Sequence, residues 1–281
     1  MVQDEWIYKI EETIMKNLAD KVVIITGGSK GIGRETAKLF AQQQAQVIIT
    51  GRGKEQLEKT CTLINSEYGK CDFFQGDVTN ISDCKRIVEA VEEKYNHIDI
   101  LINNAGKSMR GSFEETDLDL FHKITDINYS GAVNMTKFAL KSLIESKGSV
   151  VFISSLSGLK GIPGIAPYGA AKMALTGFTE SLRAEIYHHQ VHVGIIYVGF
   201  TENDDDKLIY SAKGDLIPLH RPKNNDTQQG VAKSVLKSVR KRKSTMYLTF
   251  IGKVINIFYR FFPRLSSYLL LKYTMKSEMF K

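Results

Sequence analysis

The chain has 281 residues, 43% of them apolar and 25% charged, and a net charge of +7. This length suits one α/β domain with additions, or two small domains. No run of about 18 uncharged apolar residues occurs, so a conventional membrane span is not expected. Three cysteines (Cys61, Cys71 and Cys84) are scattered and form no CxxC pair. They speak against a disulfide framework or a zinc site and fit a reducing compartment. The charge is uneven: residues 231–281 hold 12 Lys/Arg and one acid, while acids outnumber bases in the rest. The basic character belongs to the C-terminal tail.

Residues 1–19 are expected to form a helical extension, with Trp6, Ile7, Ile10, Ile14 and Leu18 at helical spacing. Met15 is an alternative start. Asp4, Glu5, Glu11 and Glu12 and the lack of an apolar core do not suit a secretory signal. From Lys21, β-branched runs alternate with amphipathic stretches. Strands are expected at Val22–Thr26, Val47–Thr50, Asp72–Gln75, Ile98–Ile102, Val150–Ser154 and Val191–Tyr197. Helices fit between them, among them Arg34–Gln43, Lys54–Glu67 and Ser82–Tyr95. Parallel neighbours need crossover helices, so these βα units predict a Rossmann-type, doubly wound parallel sheet over residues 20–250. Residues 200–227 look like an irregular loop. A helix at Gln228–Lys241 and a last strand at Thr245–Phe250 follow, and residues 251–281 form an apolar, basic tail.

The first strand runs into Thr26-Gly27-Gly28-Ser29-Lys30-Gly31-Ile32-Gly33. Glycines let the backbone turn sharply beside a pyrophosphate, and the next helix offers its free N–H groups to the negative charge. Gly27, Ser29, Lys30, Gly31, Ile32 and Gly33 are therefore candidate cofactor residues; a plain βα turn is the alternative. The second strand ends Thr50-Gly51-Arg52, without the acid that commonly binds a ribose 2′-hydroxyl. Arg52 and Lys30 suit a 2′-phosphate instead, which predicts NADP (NADPH) over NAD. Asp77, with Val78 beside it, is placed to meet the adenine, or to cap the following helix.

Further along come Asn103-Asn104-Ala105-Gly106, Ser154-Ser155 and Tyr168-Gly169-Ala170-Ala171-Lys172. With the glycine-rich loop, their order and spacing over roughly residues 19–250 resemble the classical short-chain dehydrogenase/reductase family. The resemblance implies a catalytic tetrad of Asn128, Ser155, Tyr168 and Lys172. It also implies that Asn104, Ala105 and Gly106 pass close to the cofactor, and that Gly199 and Thr201 meet the nicotinamide end. Ser155 is preferred to Ser154 because it precedes Tyr168 by the family's spacing; residue chemistry alone leaves both open. Where the family commonly has Pro-Gly, this chain has Val198-Gly199.

Residue chemistry supports part of this independently. Tyr168 and Lys172, four apart, share a helix face. A nearby ammonium favours the phenolate, making the tyrosine a usable general acid or base. The expected reaction moves a hydride between the nicotinamide and a carbonyl/alcohol pair, with no metal.

The tail reads IGKVINIFYRFF over residues 251–262, with Lys253, Asn256 and Arg260 on one helical face. Pro263 breaks the run, and Leu265, Tyr268, Leu269, Leu270 and Leu271 follow. A broad apolar face with basic edges suits a membrane interface; packing on the core or a partner subunit fits equally. The substrate expected is a small apolar ketone or aldehyde. The chain is expected in the cytoplasm, peripheral on a membrane if the tail binds lipid, as a homo-oligomer and without nucleic acid. Two other functions remain in view: an idle NADP-binding scaffold on the same fold, and an NAD-dependent alcohol dehydrogenase.

Overall fold

The structure is a computed structural model that describes residues 17–219 and 226–276. Residues 1–16 of the helical extension expected over 1–19 lie outside the described residues; Asn17, Leu18 and Ala19 are not helical, and Leu18 is buried in the core. Seven strands form the main sheet: β1 (Val22–Thr26), β2 (Gln46–Gly51), β3 (Cys71–Gln75), β4 (Ile100–Asn103), β6 (Ser149–Ser155), β7 (His192–Val198) and β10 (Thr245–Tyr247). Their order is β10-β7-β6-β4-β1-β2-β3. All neighbouring pairs are parallel, with Val23 opposite both Val47 and Ile100, and Ser149 opposite Ile100 and His192. β1 is buried along its whole length, as expected of a parallel strand covered on both faces.

Helices α1 (Gly31–Gln42), α2 (Lys54–Tyr68) and α7 (Gln228–Arg240) cover one face, burying Phe40, Leu57 and Val235. Helices α3 (Ile81–Tyr95), α5 (Gly131–Glu145) and α6 (Ala166–Glu185) cover the other, burying Ile87, Met135 and Leu175. α4 (Leu118–Thr125) runs into α5 through one π-helical turn, Asp126–Ser130. The strand order reverses between β1 and β4, so their carboxyl ends open a crevice. Every candidate site residue lies on a segment that leaves one of these strand ends or packs beside one.

The expected elements stand with shifted bounds. α1 starts at Gly31, not Arg34. β4 starts at Ile100, because the Asp99 carboxylate is taken by the Val22 N–H and the Lys21 ammonium. The last strand stops at Tyr247, because Thr249 accepts the Gly252 N–H and caps α8 (Phe250–Phe261).

Residues 200–227 are not merely irregular. β8 (Leu208–Ser211) and β9 (Leu216–Pro218) form an antiparallel hairpin, and β8 pairs in parallel with β5 (Met109–Arg110). The short apolar, β-prone run Leu208-Ile209-Tyr210 and the left-handed Gly214 (φ +88°) are the local causes. Pro263 ends α8 and opens α9 (Pro263–Lys276), a position where its missing N–H costs nothing. Among the described residues no helix is long and apolar enough to cross a membrane.

Candidate active site

The cradle is built where β1 meets α1. The Thr26 hydroxyl accepts the N–H groups of Asn104 and Ala105 (3.0 Å each). Asn104 Nδ2 donates to the carbonyls of Thr26 (2.9 Å) and Gly27 (3.1 Å). The glycine-rich loop and the turn after β4 are thereby locked into one unit. A Cβ on Gly33 would stand 2.2 Å from the Gly27 carbonyl oxygen, so only glycine fits there. Thr60 of α2 donates to the Ser29 carbonyl (2.9 Å), and Ile32 packs on the core.

Across this cradle lies an acidic turn, Asn203-Asp204-Asp205-Asp206. Asp204 accepts the Gly31 N–H (3.1 Å) and a guanidinium N–H of Arg34 (3.0 Å). Burial alone would raise the Asp204 carboxyl, but the hydrogen bond from Gln228 and the charge of Arg34 outweigh it and hold it below its ordinary value. Lys30 Nζ pairs with Asp206 at 2.5 Å. Arg52 lies 3.8 Å from Asp77. Both cations proposed for a phosphate thus have acidic partners, but Lys30, Asp206 and Arg52 are exposed. Such pairs are worth about 0–1 kcal/mol, less than the roughly 1.5–3 kcal/mol of a charge-assisted hydrogen bond. A phosphate can displace them. Asp77 also closes a turn by accepting the Thr79 N–H and hydroxyl (2.9 Å each). The cap of α3 is Asn80, not Asp77. Val78 is buried against Gly131, its carbonyl accepting from Asn134 (3.1 Å).

The tetrad candidates come from three elements. Asn128 sits in the π-helical turn, 1% exposed, and its Nδ2 donates to the carbonyls of Lys107 and Ile124 (2.8 Å each). Its Oδ1 has no hydrogen-bond partner among the described residues. Lys172 is buried on α6, and its ammonium donates to the Ile153 carbonyl at 2.9 Å. Burial lowers its pKa to about 8. The ammonium lies 5.7 Å from the centre of the Tyr168 ring. A Cβ on Gly106 would stand 2.8 Å from Asn128 Oδ1 and 3.7 Å from Lys172 Nζ. Both atoms therefore border one small space that glycine leaves open. Ser155 ends β6 half-buried, its hydroxyl accepting the Ser157 N–H at 3.3 Å. The Ser154 hydroxyl is enclosed against Gly158. Successive strand residues face opposite sides, so the fold separates two serines that residue chemistry left equivalent.

Thr201 is buried, with its hydroxyl 3.4 Å from the Gly199 carbonyl, and it bridges to Asp226. Gly199 passes tightly by Thr249, leaving no room for a side chain. Val198, in the position of the family's proline, simply ends β7.

The folded chain adds residues that sequence reasoning missed. Tyr210 of β8 is buried with Met109, Leu120 and Ile124 in the cluster that supports the Tyr168 ring. Lys123 and Lys107 lie 4.7 and 5.7 Å from the Tyr210 ring centre. Burial lowers the Lys107 pKa. Lys160, in the loop after Ser155, reaches the hydroxyls of Ser266 and Ser267 (3.1 Å each) and stands 4.0 Å above the Tyr259 ring. The tail therefore lies against the loop that follows Ser155. No local signal marks these residues, since each depends on strand pairing or helix docking far along the chain.

The family model for short chain dehydrogenase matches residues 21–213. A dehydrogenase/reductase SDR family protein 7-like from Dictyostelium discoideum is 33% identical over 282 residues, covering 96% of this chain and 86% of its own length. The ketoacyl reductase HetN of Nostoc sp. is 32% identical, covering 82% and 79% respectively. A solved short chain dehydrogenase from Shigella flexneri, complexed with NADP, superposes with a TM-score of 0.72 at 27% identity, covering 82% of this chain and 97% of that one. By the family model and these relatives, the chain belongs to the short-chain dehydrogenase family of oxidoreductases.

Proposed function

We propose that this protein is an NADP(H)-dependent oxidoreductase acting on an apolar ketone or aldehyde and the corresponding alcohol. The observation that carries the reading is the buried Lys172 ammonium beneath Tyr168, sharing a small space with the unpartnered Asn128 Oδ1. A buried unpaired amide oxygen is costly unless something occupies its site; a water there would link Lys172 to Asn128. Nicotinamide dinucleotide, when bound, supplies or accepts the hydride. Gly27–Gly33 and Asn104–Gly106 would hold it, with Lys30 and Arg52 on the 2′-phosphate.

Ser155 and Tyr168 hydrogen-bond the substrate oxygen. In reduction the Tyr168 hydroxyl gives its proton to that oxygen; in oxidation the phenolate takes it back. Lys172 stabilises the phenolate by its charge, and the Asn128-held water restores the proton to the site. Phe250, Val254, Ile257 and Phe261, at helical spacing, form an exposed stripe on α8, and Leu265, Tyr268 and Leu269 continue it on α9. With the basic residues of the tail, this stripe suits a membrane interface. Because the tail also touches the loop after Ser155, an apolar substrate would pass from lipid to the cleft along it. The NADP bound to the Shigella neighbour and the ketoacyl reductase from Nostoc are compatible with this reading.

The decisive experiment follows NADPH absorbance against a panel of apolar ketones and aldehydes, with wild type and Tyr168→Phe. The phenylalanine keeps the ring packing and removes the proton. Turnover is expected to fall about 100- to 10,000-fold while NADPH binding survives. Near-normal turnover in the folded variant would refute the assignment of Tyr168.

A further inference from the structure

Ten positions apart in the sequence, Cys61 and Cys71 meet in the folded chain. Cys61 lies on the buried face of α2, and Cys71 is the first residue of β3. Asn65 brings them together. It stands one turn after Cys61 on the same face. Its Nδ2 donates to the Cys71 carbonyl (2.9 Å), and its Oδ1 accepts the Cys71 N–H (2.7 Å). Both main-chain groups of Cys71 are thus tied to the helix, and the two sulfurs lie 2.6 Å apart. Both residues are buried. The third cysteine, Cys84, lies in the core on the other face of the sheet, its thiol donating to the Val78 carbonyl at 3.2 Å.

We propose that Cys61 and Cys71 are an oxidisable pair that closes a disulfide between α2 and β3 when the protein meets a peroxide. The sulfurs need to approach by only about half an ångström to reach the bonding distance of about 2.05 Å. The chemistry balances in two steps. One thiol takes an OH from hydrogen peroxide to become a sulfenic acid, and the first water leaves. The other sulfur then displaces the sulfenic OH, the S–S bond forms, and the second water leaves. The thiols lose two electrons and two protons; the peroxide is reduced to two waters.

The hydrogen bond with Cys61 and then burial push the Cys71 thiol far above its ordinary pKa. The thiolate is the reactive form, so closure is slow and belongs to sustained oxidation. The link would fasten β3 to the helix whose Thr60, next to Cys61, holds the Ser29 carbonyl of the phosphate loop.

The test treats the folded, full-length protein with hydrogen peroxide, removes the oxidant with catalase, and alkylates all free thiols under denaturing conditions before mass spectrometry. Trypsin leaves Cys71 and Cys84 on one peptide, because no Lys or Arg lies between Lys70 and Lys85. Cys84→Ser is therefore run beside wild type. The expected result is a species lighter by two hydrogens in which the Cys61 and Cys71 peptides are joined. It persists in Cys84→Ser, disappears in Cys71→Ser and is reversed by dithiothreitol. Three alkylated cysteines after peroxide treatment of wild type, a link through Cys84, or separate sulfinic acids on Cys61 and Cys71 would each overturn the proposal.

Discussion

The ammonium of Lys30 lies 2.5 Å from the Asp206 carboxylate, across the loop that would receive a nucleotide phosphate. Lys30 is therefore engaged before any cofactor arrives. The two side chains are 49% and 64% exposed, so the pair is well screened. Removing the negative charge in Asp206→Asn should free Lys30 and lift a repulsion. NADPH affinity is expected to rise about 2- to 5-fold, the equivalent of about 0.5–1 kcal/mol, with NADH affinity little changed. Fluorescence titration of both nucleotides measures this. Weaker NADPH binding in the variant would show that Asp206 serves to order the loop.

Arg52 supplies the second cation, held only loosely at 3.8 Å from Asp77. Arg52→Ala is expected to weaken NADPH about 10- to 150-fold, the loss of one charge-assisted contact, and to leave NADH close to wild type. The ratio of the two dissociation constants is the readout. A ratio unchanged by the mutation would remove Arg52 from the 2′-phosphate site.

His192 offers a pH prediction. It is buried at the start of β7, with Nε2 3.0 Å from the Lys243 carbonyl and Nδ1 3.3 Å from the Ser149 hydroxyl. This fits a neutral ring that donates from Nε2 and accepts at Nδ1. Burial lowers its pKa from 6.5 to about 4. Between those values the unfolded chain binds a proton that the folded chain refuses. Stability is thus complete above about pH 6.5 and drains away as pH falls toward 4, by up to about 3 kcal/mol from this group. Urea unfolding from pH 7 to pH 4 should show the loss, and His192→Gln should flatten that part of the curve. Parallel curves for the two proteins would assign the acid sensitivity to other groups.

The tail prediction separates its two functions. A chain ending at Thr249 lacks the exposed stripe of Phe250, Val254, Ile257 and Phe261. Full-length protein is expected to co-sediment with phosphatidylserine-containing vesicles, and the shortened one to lose that binding. Basic side chains near the surface contribute about 1 kcal/mol each, so salt should weaken the attachment. If the full-length protein ignores such vesicles and the shortened one melts lower or changes its assembly, the stripe is a packing surface and not a membrane contact.

Much of this molecule is written locally. Short β-branched runs, glycines at forced turns, and a tyrosine and lysine four apart on one helix depend on neighbours a few residues away. The sequence alone therefore placed the seven-strand alternation and the glycine-rich turn after β1 to within a few residues, while the choice of Asn128 and Ser155 came from the family resemblance. What only the tertiary structure decided involves partners distant in the chain. Which of Ser154 and Ser155 is enclosed follows from the register of β6. The acidic turn at Asp204–Asp206 reaches Lys30 and Arg34 some 170 to 176 positions away. Tyr210 meets the Tyr168 cluster because β8 pairs with β5. Cysteines that look scattered become a pair because Asn65 pins one strand end to a helix. Composition and periodicity report on the local free energy of strands, helices and turns. They carry no record of which distant surfaces that burial and hydrogen bonding press together.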